Sequence, residues 1–521
     1  MHHHFAHLID WVKIMIDNDL QIYAVISILK IAINYKEKFA MNMNFNRAEL
    51  RDKIHGCWIG KNIGGTMGGP FEGKRELLDI PGFTTPKGEP LPNDDLDLQL
   101  VWLRYLEENG PFNMTALDLG EYWISFIVPH WAEYGIGKSN MRYGIQPPLC
   151  GAINNDYWKN SNGAWIRTEI WACLNPGNPD AAIKYAFKDA CIDHGIGEGT
   201  YAAVFVAALE SAAFVESDIR KLIDIGLTKI PEDCRMAKAI KLLLDNYDNG
   251  VDWVTTRNDL VKQSEDIGWF QAPANVAFAI LGILYGEGDF KKSMITAINC
   301  GDDTDCTAAT VGSILGIING KGGIPEDWQE YIGDKIVTVS INMGCDPRYP
   351  LTITDLTDRV LKLVPVTAST IRNYSVTVTD EPTDTETPPL YGTLEGKHLF
   401  ERSEYSFDAD LGYGNAVISY DRCPRIKPGE SIGVNIRIVG RFWGIPENLS
   451  IRFITPEGFR VDGPRAFHME QGSQRNDYYP TANNDYVITA GENVEAQNRI
   501  IVEVVCQGRP SVGLFEMIVL G

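Results

Sequence analysis

Residues 299–316 read NCGDDTDCTAATVGSILG. Three acids, Asp302, Asp303 and Asp305, stand at the entrance to a segment whose small residues Ala308, Gly312 and Gly316 recur at every fourth position, flanked by Val311, Leu315 and Ile318. The spacing predicts a helix, and its small apolar face predicts one lying deep in a bundle with close backbone approach. The acids at its mouth are then drawn into a crevice. A helix N-terminus favours a carboxylate by only about 0.3–1 kcal/mol. That accounts for acids on a solvated turn, but three partly buried carboxylates with no Arg or Lys beside them would go neutral unless a hard cation compensated them. A second acidic string, PNDDLDLQ at 92–99, places Asn93, Asp94, Asp95 and Asp97 at the start of another helix. If the two strings converge, their carboxylates could bridge two divalent ions, a geometry suited to orienting hydroxyls and activating water.

Working outward, Asn46 and Glu49 form a capping-box pattern ahead of Leu50, Ile54, Cys57 and Trp58 at helical spacing. That helix is expected to run into a glycine-rich segment, GKNIGGTMGGPFEG at 60–73, where Gly68 and Gly69 would let backbone approach a ligand. Helical periods recur at 96–108, 180–190, 201–215, 219–227, 236–244, 272–285, 291–299 and 304–318, with almost no period-two alternation, so 45–368 reads as one large all-α domain. Residues 369–395, which include TVTDEPTDTETPPL at 377–390, read as a linker or long loop. Beyond it, SIGVNIRIV, LSIRFI and RIIVEVV are short β-branched runs between turn residues, and 396–521 is expected to form an all-β, sandwich-like domain. Residues 1–44 read as an N-terminal appendage, whose apolar stretch at 22–33 is too short to span a bilayer.

Composition narrows the partners. Of 521 residues, 47 are Lys or Arg and 69 Asp or Glu, a net charge of −22, which argues against a broad nucleic-acid-binding face. Hydrophobic residues at 44% exclude a disordered acidic chain. Ten widely spaced cysteines without a CxxC pair point to reduced thiols in a cytoplasmic protein. Neither a membrane partner nor an oligomeric state is indicated.

Five segments occur in the order and spacing of one family: GCWIGKNIGGTMGGPFEG, NDDLDLQ, SNGAWIR, DACIDHGIGEGTYAAVFVAAL and GDDTDCTAATVGSILGIINGKGGIP. Over about residues 47–335 the chain resembles the ADP-ribosylglycohydrolases, the group that includes the dinitrogenase-reductase-activating glycohydrolase. The resemblance implies an all-α domain that binds two Mg²⁺ or Mn²⁺ ions and hydrolyses a glycosidic bond at the anomeric carbon of a ribose. It places metal ligands at Asn93, Asp94 and Asp95, and at Asp303, Asp305 and Cys306, with Glu72 beside the ions. It also implies substrate contacts from Asn162, Gly163, Arg167 and His194. Asn93 and Cys306 stand where hydroxyl ligands are common, and a thiol is a poor partner for a hard ion, so the second ion is the one in question.

In the mechanism this implies, carboxylates stabilise an oxocarbenium-like transition state while Asp95 or Asp303 takes a proton from water. Glu72 is either a ligand or a gate. Asp97 and Asp302 read as residues that support the ligands from behind or cap a helix rather than bind an ion, and Trp158 and Trp165 as either a stacking wall or core. The substrate is a small molecule or an ADP-ribosylated conjugate. The alternatives are a glycoside or nucleoside hydrolase acting on something other than ADP-ribose, and a catalytically silent sugar- or nucleotide-binding module.

Overall fold

The computed structural model describes residues 41–341, 348–371, 374–385, 390, 399–442, 447–470 and 479–521. The expected appendage up to residue 40 lies outside the described residues, as do 372–373, 386–389 and 391–398 of the expected linker. Among the described residues, sixteen α-helices precede the C-terminal strands. Those that build the site are α1 (Arg47–Gly68), α2 (Asp94–Asn109), α3 (Ala132–Arg142), α4 (Pro179–His194), α5 (Ala272–Tyr285) and α6 (Thr304–Asn319). No helix among the described residues is long and apolar enough to cross a membrane.

The centre of the helical body is the antiparallel crossing of α1 and α6. Asn46 caps α1, its side chain accepting from the amides of Ala48 and Glu49. The helix then continues through the segment read above as a glycine-rich run beyond its end. The physical reason lies in spacing: Gly56, Gly60, Gly64 and Gly68 also recur at every fourth position, opposite Gly316, Gly312, Ala308 and Thr304 of α6. A Cβ built on Gly60 would lie 2.1 Å from the carbonyl oxygen of Gly312, and one on Gly312 equally close to that of Gly60. Backbone packing at that distance outweighs a helix-propensity cost of about 1 kcal/mol per glycine. Gly68 and Gly69 therefore end a packed helix, with Gly68 set against Thr304 and Asp305.

Two boundaries change. Strand β1 (Met41–Asn46) begins inside the expected appendage and pairs in parallel with β2 (Tyr374–Thr379), which lies inside the expected linker. Met43, Phe45, Tyr374 and Val376 all point into the helical core, so hydrophobic burial ties these two segments to the bundle. Neither could be recognised alone, because a short alternating segment becomes a strand only when a partner completes its ladder.

The C-terminal region is a two-sheet antiparallel sandwich. Its strands are β3 (Ser406–Asp410), β4 (Gly414–Tyr420), β5 (Ser431–Gly440), β6 (Asn448–Ile454), β7 (Arg460–Asp462), β8 (Ala466–His468), β9 (Thr481–Thr489), β10 (Gln497–Cys506) and β11 (Val512–Leu520). One sheet has the order β3-β4-β5-β9-β7 and the other β11-β10-β6-β8. Ile432, Val434, Ile436 and Ile438 alternate inward along β5, as period two requires. Its core also takes in Ile145, Leu149 and Ile153 from the helical body. Lys159 and Glu404 form an ion pair of 3.2 Å across the same junction, and Arg425 donates to Asn154 at 2.6 Å. The sandwich therefore buttresses residues 145–159, which lead directly into the wall of the crevice.

Candidate active site

The two acidic strings converge at helix N-termini. Asn93 caps α2, its side-chain Oδ1 accepting from the amide of Asp95 at 2.7 Å, and so has a structural task. Asp97 accepts from the amides of Val339 and Ser340 at 2.6 Å each, which ties the head of α2 to a distant loop. At the head of α6, Asp302 takes a positive φ of 69° and accepts from the amide of Phe270 and the side chain of Asn275. Asn275, on α5, also accepts from the amide of Asp303 at 3.2 Å, which turns the Asp303 carboxylate inward. There Asn162 donates to Asp303 Oδ2 at 2.6 Å.

The result is a crevice lined by the carboxylates of Glu72, Asp94, Glu133, Asp303 and Asp305 and walled by Trp131, Trp158 and Phe270. Ser161, Asn162, Gly163 and Cys306 complete its floor. No Lys or Arg lines it among the described residues. Donor atoms of Glu72, Asp303 and Asp305 lie within 4.8 Å of one another, and so do those of Asp95, Asp305 and Cys306. Asp95 Oδ2, Asp303 Oδ1 and Asp305 Oδ1 are buried without a hydrogen-bond partner. Burial, reinforced by the Asp305 charge, drives the Asp303 carboxyl well above the ordinary range and raises that of Asp94. The Asp305 charge, with burial and Asp94, pushes Glu72 up to about 8. Burial likewise raises Asp95, although Lys61 opposes it. Orphaned, oxygen-rich and crowded with negative charge, this donor set fits a divalent cation.

Three expectations are corrected. First, the string at 92–99 does have a base beside it: Lys61 on α1, fully buried, lies 3.8 Å from Asp95 and 2.7 Å from Glu169. A lone lysine among glycines on a buried helix was the available signal. Second, Arg167 does not reach the crevice. It is fully buried, pairing with Asp189 at 2.8 Å and Asp193 at 2.7 Å and facing the Trp123 ring at 4.7 Å. Third, His194 is fully buried behind the wall, with Nδ1 on Asp193 at 2.8 Å and Nε2 on Ser161 at 3.1 Å. Trp165 is core, whereas Trp158 is wall.

The Asp193–His194–Ser161 chain has the connectivity of a nucleophilic triad. The Ser161 hydroxyl, however, donates to the Trp158 carbonyl at 2.6 Å, and Ser161 is 2% exposed. The chain holds the wall residues in place. Glu133 and Tyr134, at the start of α3, belong to the site without any sequence signal. Tyr134 donates to Asp94 Oδ2 at 2.9 Å, and Glu133 Oε1 lies 4.0 Å from His194.

Fold and crevice together define a helical-bundle protein with an acidic, aromatic-walled cleft able to hold divalent cations. The family model described as ADP-ribosylglycohydrolase matches residues 46–367, and the chain belongs to that family, a family of glycohydrolases. An uncharacterized protein of Archaeoglobus fulgidus is 23% identical over 303 residues, covering 55% of this chain and 93% of its own length. Among solved structures, an ADP-ribosylglycohydrolase-related protein complex aligns with 61% of this chain and 99% of its own, at 20% identity and a TM-score of 0.42. A FixG-related protein from Vibrio parahaemolyticus aligns with 21% of this chain and 95% of its own, at 9% identity and a TM-score of 0.17.

Proposed function

We propose that the chain is a metal-dependent glycosyl hydrolase that cleaves a glycosidic bond at the anomeric carbon of a ribose or similar sugar. The observation that carries this reading is the set of orphaned buried oxygens on Asp95, Asp303 and Asp305, which two helix N-termini bring into two donor groups that share Asp305. Glu72, Asp94, Asp95, Asp303 and Asp305 would hold one or two divalent ions. Such an ion would neutralise the carboxylates and polarise a hydroxyl or water. The remaining chemistry belongs to the chain. Asn162 orients Asp303 through Oδ2, leaving Oδ1 free to accept a proton from the attacking water. Asp95, the other candidate base, does not line the crevice and is set back beside Lys61. Glu72 and Asp94 stabilise positive charge developing at the anomeric carbon, and Trp131 and Trp158 exclude water from it.

Five carboxylates and no lining Lys or Arg among the described residues favour a second reading, a glycoside or nucleoside carrying no diphosphate. A substrate panel separates the two: ADP-ribosyl-arginine, ADP-ribosyl-serine, unphosphorylated nucleosides and aryl glycosides, each with Mg²⁺ or Mn²⁺ and again with EDTA. Asp303→Asn should lower turnover by about 10²–10⁴-fold. Turnover that survives both EDTA and this substitution would sink the metal mechanism. Cation binding without turnover of any substrate would leave the silent binding module.

A further inference from the structure

We propose that Cys306 makes the two cation positions of the crevice chemically unequal: the position formed by Asp95, Asp305 and Cys306 selects a borderline-soft ion such as Zn²⁺, Fe²⁺ or Co²⁺, while that formed by Glu72, Asp303 and Asp305 takes Mg²⁺ or Mn²⁺. The inference rests on the cation reading above and adds the identity of the ions.

The two donor groups share Asp305 and differ in one respect that decides selectivity. The outer one offers only carboxylate oxygens, which suit hard ions. The inner one replaces an oxygen with sulfur, and thiolate donors select zinc and the later first-row metals over magnesium. Its spacing is compatible with one ion. Bond lengths of about 2.0–2.3 Å allow donors up to about 4.6 Å apart, and Cys306 Sγ and Asp95 Oδ1, at 3.5 Å, fall inside that limit. The cysteine does not stand alone. Asp305 Oδ1 is buried and unpartnered, and Asp305 is 8% exposed. Cys306 Sγ already lies 3.5 Å from Asp95 Oδ1.

Lys61, 3.8 Å from Asp95, places a positive charge beside the inner position. That charge is itself paired with Glu169 at 2.7 Å, so the count of anions decides: a neutral hydroxyl at residue 306 would leave two carboxylates to hold a dication, whereas a thiolate supplies a third anion. When the metal–sulfur bond forms the S–H bond breaks, and its proton leaves to solvent; nothing is oxidised or reduced.

The test is spectroscopic and uses the full chain. Protein stripped with chelator and kept reduced is titrated with Co²⁺, reading the near-ultraviolet sulfur-to-cobalt charge-transfer band, and with Mg²⁺, Mn²⁺ and Zn²⁺ by calorimetry. The band should grow with one equivalent of Co²⁺ and be absent in Cys306→Ser and Cys306→Thr, which identifies the sulfur among the other cysteines. Loss of an outer-sphere partner alone weakens metal binding roughly 10–100-fold. The serine variant should therefore lose at least about tenfold in Zn²⁺ affinity while Mg²⁺ affinity holds or tightens. Co²⁺ binding to the unaltered protein without the band would overturn the inference and leave the cation reading intact. Absence of any divalent-cation binding would overturn both. If one variant fails to fold, the other and the unaltered protein's own spectrum still decide.

Discussion

Lys61 and Arg167 are both fully buried cations, and the molecule uses them differently. Lys61 stands between Glu169 and Asp95 and so sets the charge balance of the crevice floor. Arg167 satisfies Asp189 and Asp193 and through Asp193 orients His194. From the motif SNGAWIR both kinds of arginine look alike, because residue type and spacing do not say which side of a wall a side chain faces. A third buried basic side chain, His55, makes a separate prediction. It is 4% exposed and its Nδ1 has no partner. Burial, then the Lys321 charge, lowers its pKa below the ordinary 6.5, with Asp334 opposing. The unfolded chain therefore binds more protons as pH falls through 6.5, and His55 subtracts stability on the acid side. Urea midpoints measured above and below pH 6.5 should show a smaller acid-side loss in His55→Gln than in the unaltered protein; equal losses would refute this.

The element that matters most is the α1–α6 pair. Small residues meet backbone to backbone from Gly56 to Gly68, so even one added methyl group at Gly60 or Gly312 must move a helix. Gly60→Ala and Gly312→Ala should each cost about 2–3 kcal/mol or more, read as a lower thermal midpoint. Both should also weaken Mn²⁺ binding, because α6 carries Asp305 and Cys306, α1 carries Lys61, and Glu72 follows α1 closely. Gly322→Ala is the control, since a Cβ there meets nothing within 4 Å. If all three behave alike, the crossing does not set the site's geometry. The stripe on α6 was legible because Val311, Leu315 and Ile318 flank it with clear helical period. The matching stripe on α1 was not, because consecutive glycines and Thr66 mask the same four-residue spacing, and intrinsic propensity argues against a helix there. Only the facing surface of α6 makes that helix favourable.

At the scale of the whole molecule, the sandwich shares its core with the helical body through Ile145, Leu149 and Ile153, and the segment it buttresses leads into the Trp158–Gly163 wall. A chain ended after residue 385 keeps the β1–β2 pair but strips that apolar patch of its cover. It should melt at a lower temperature, bind a hydrophobic dye and hold Mn²⁺ more weakly; a truncated protein matching the full chain in all three would show the sandwich to be dispensable. The amino-acid sequence by itself determined the helical class of the first part, the strand class of the last, and the two acidic strings at helix N-termini. These follow from periodicity and local charge density, which act over a few residues. Tertiary structure alone decided that Asn44 and Thr377, 333 residues apart, meet in one small sheet. It alone put Lys61 beside Asp95, brought Glu133 and Tyr134 to the crevice, and turned Arg167 and His194 away from it. Those outcomes depend on which faces of distant elements exclude water together, a property of the packed whole that no local stretch of sequence carries.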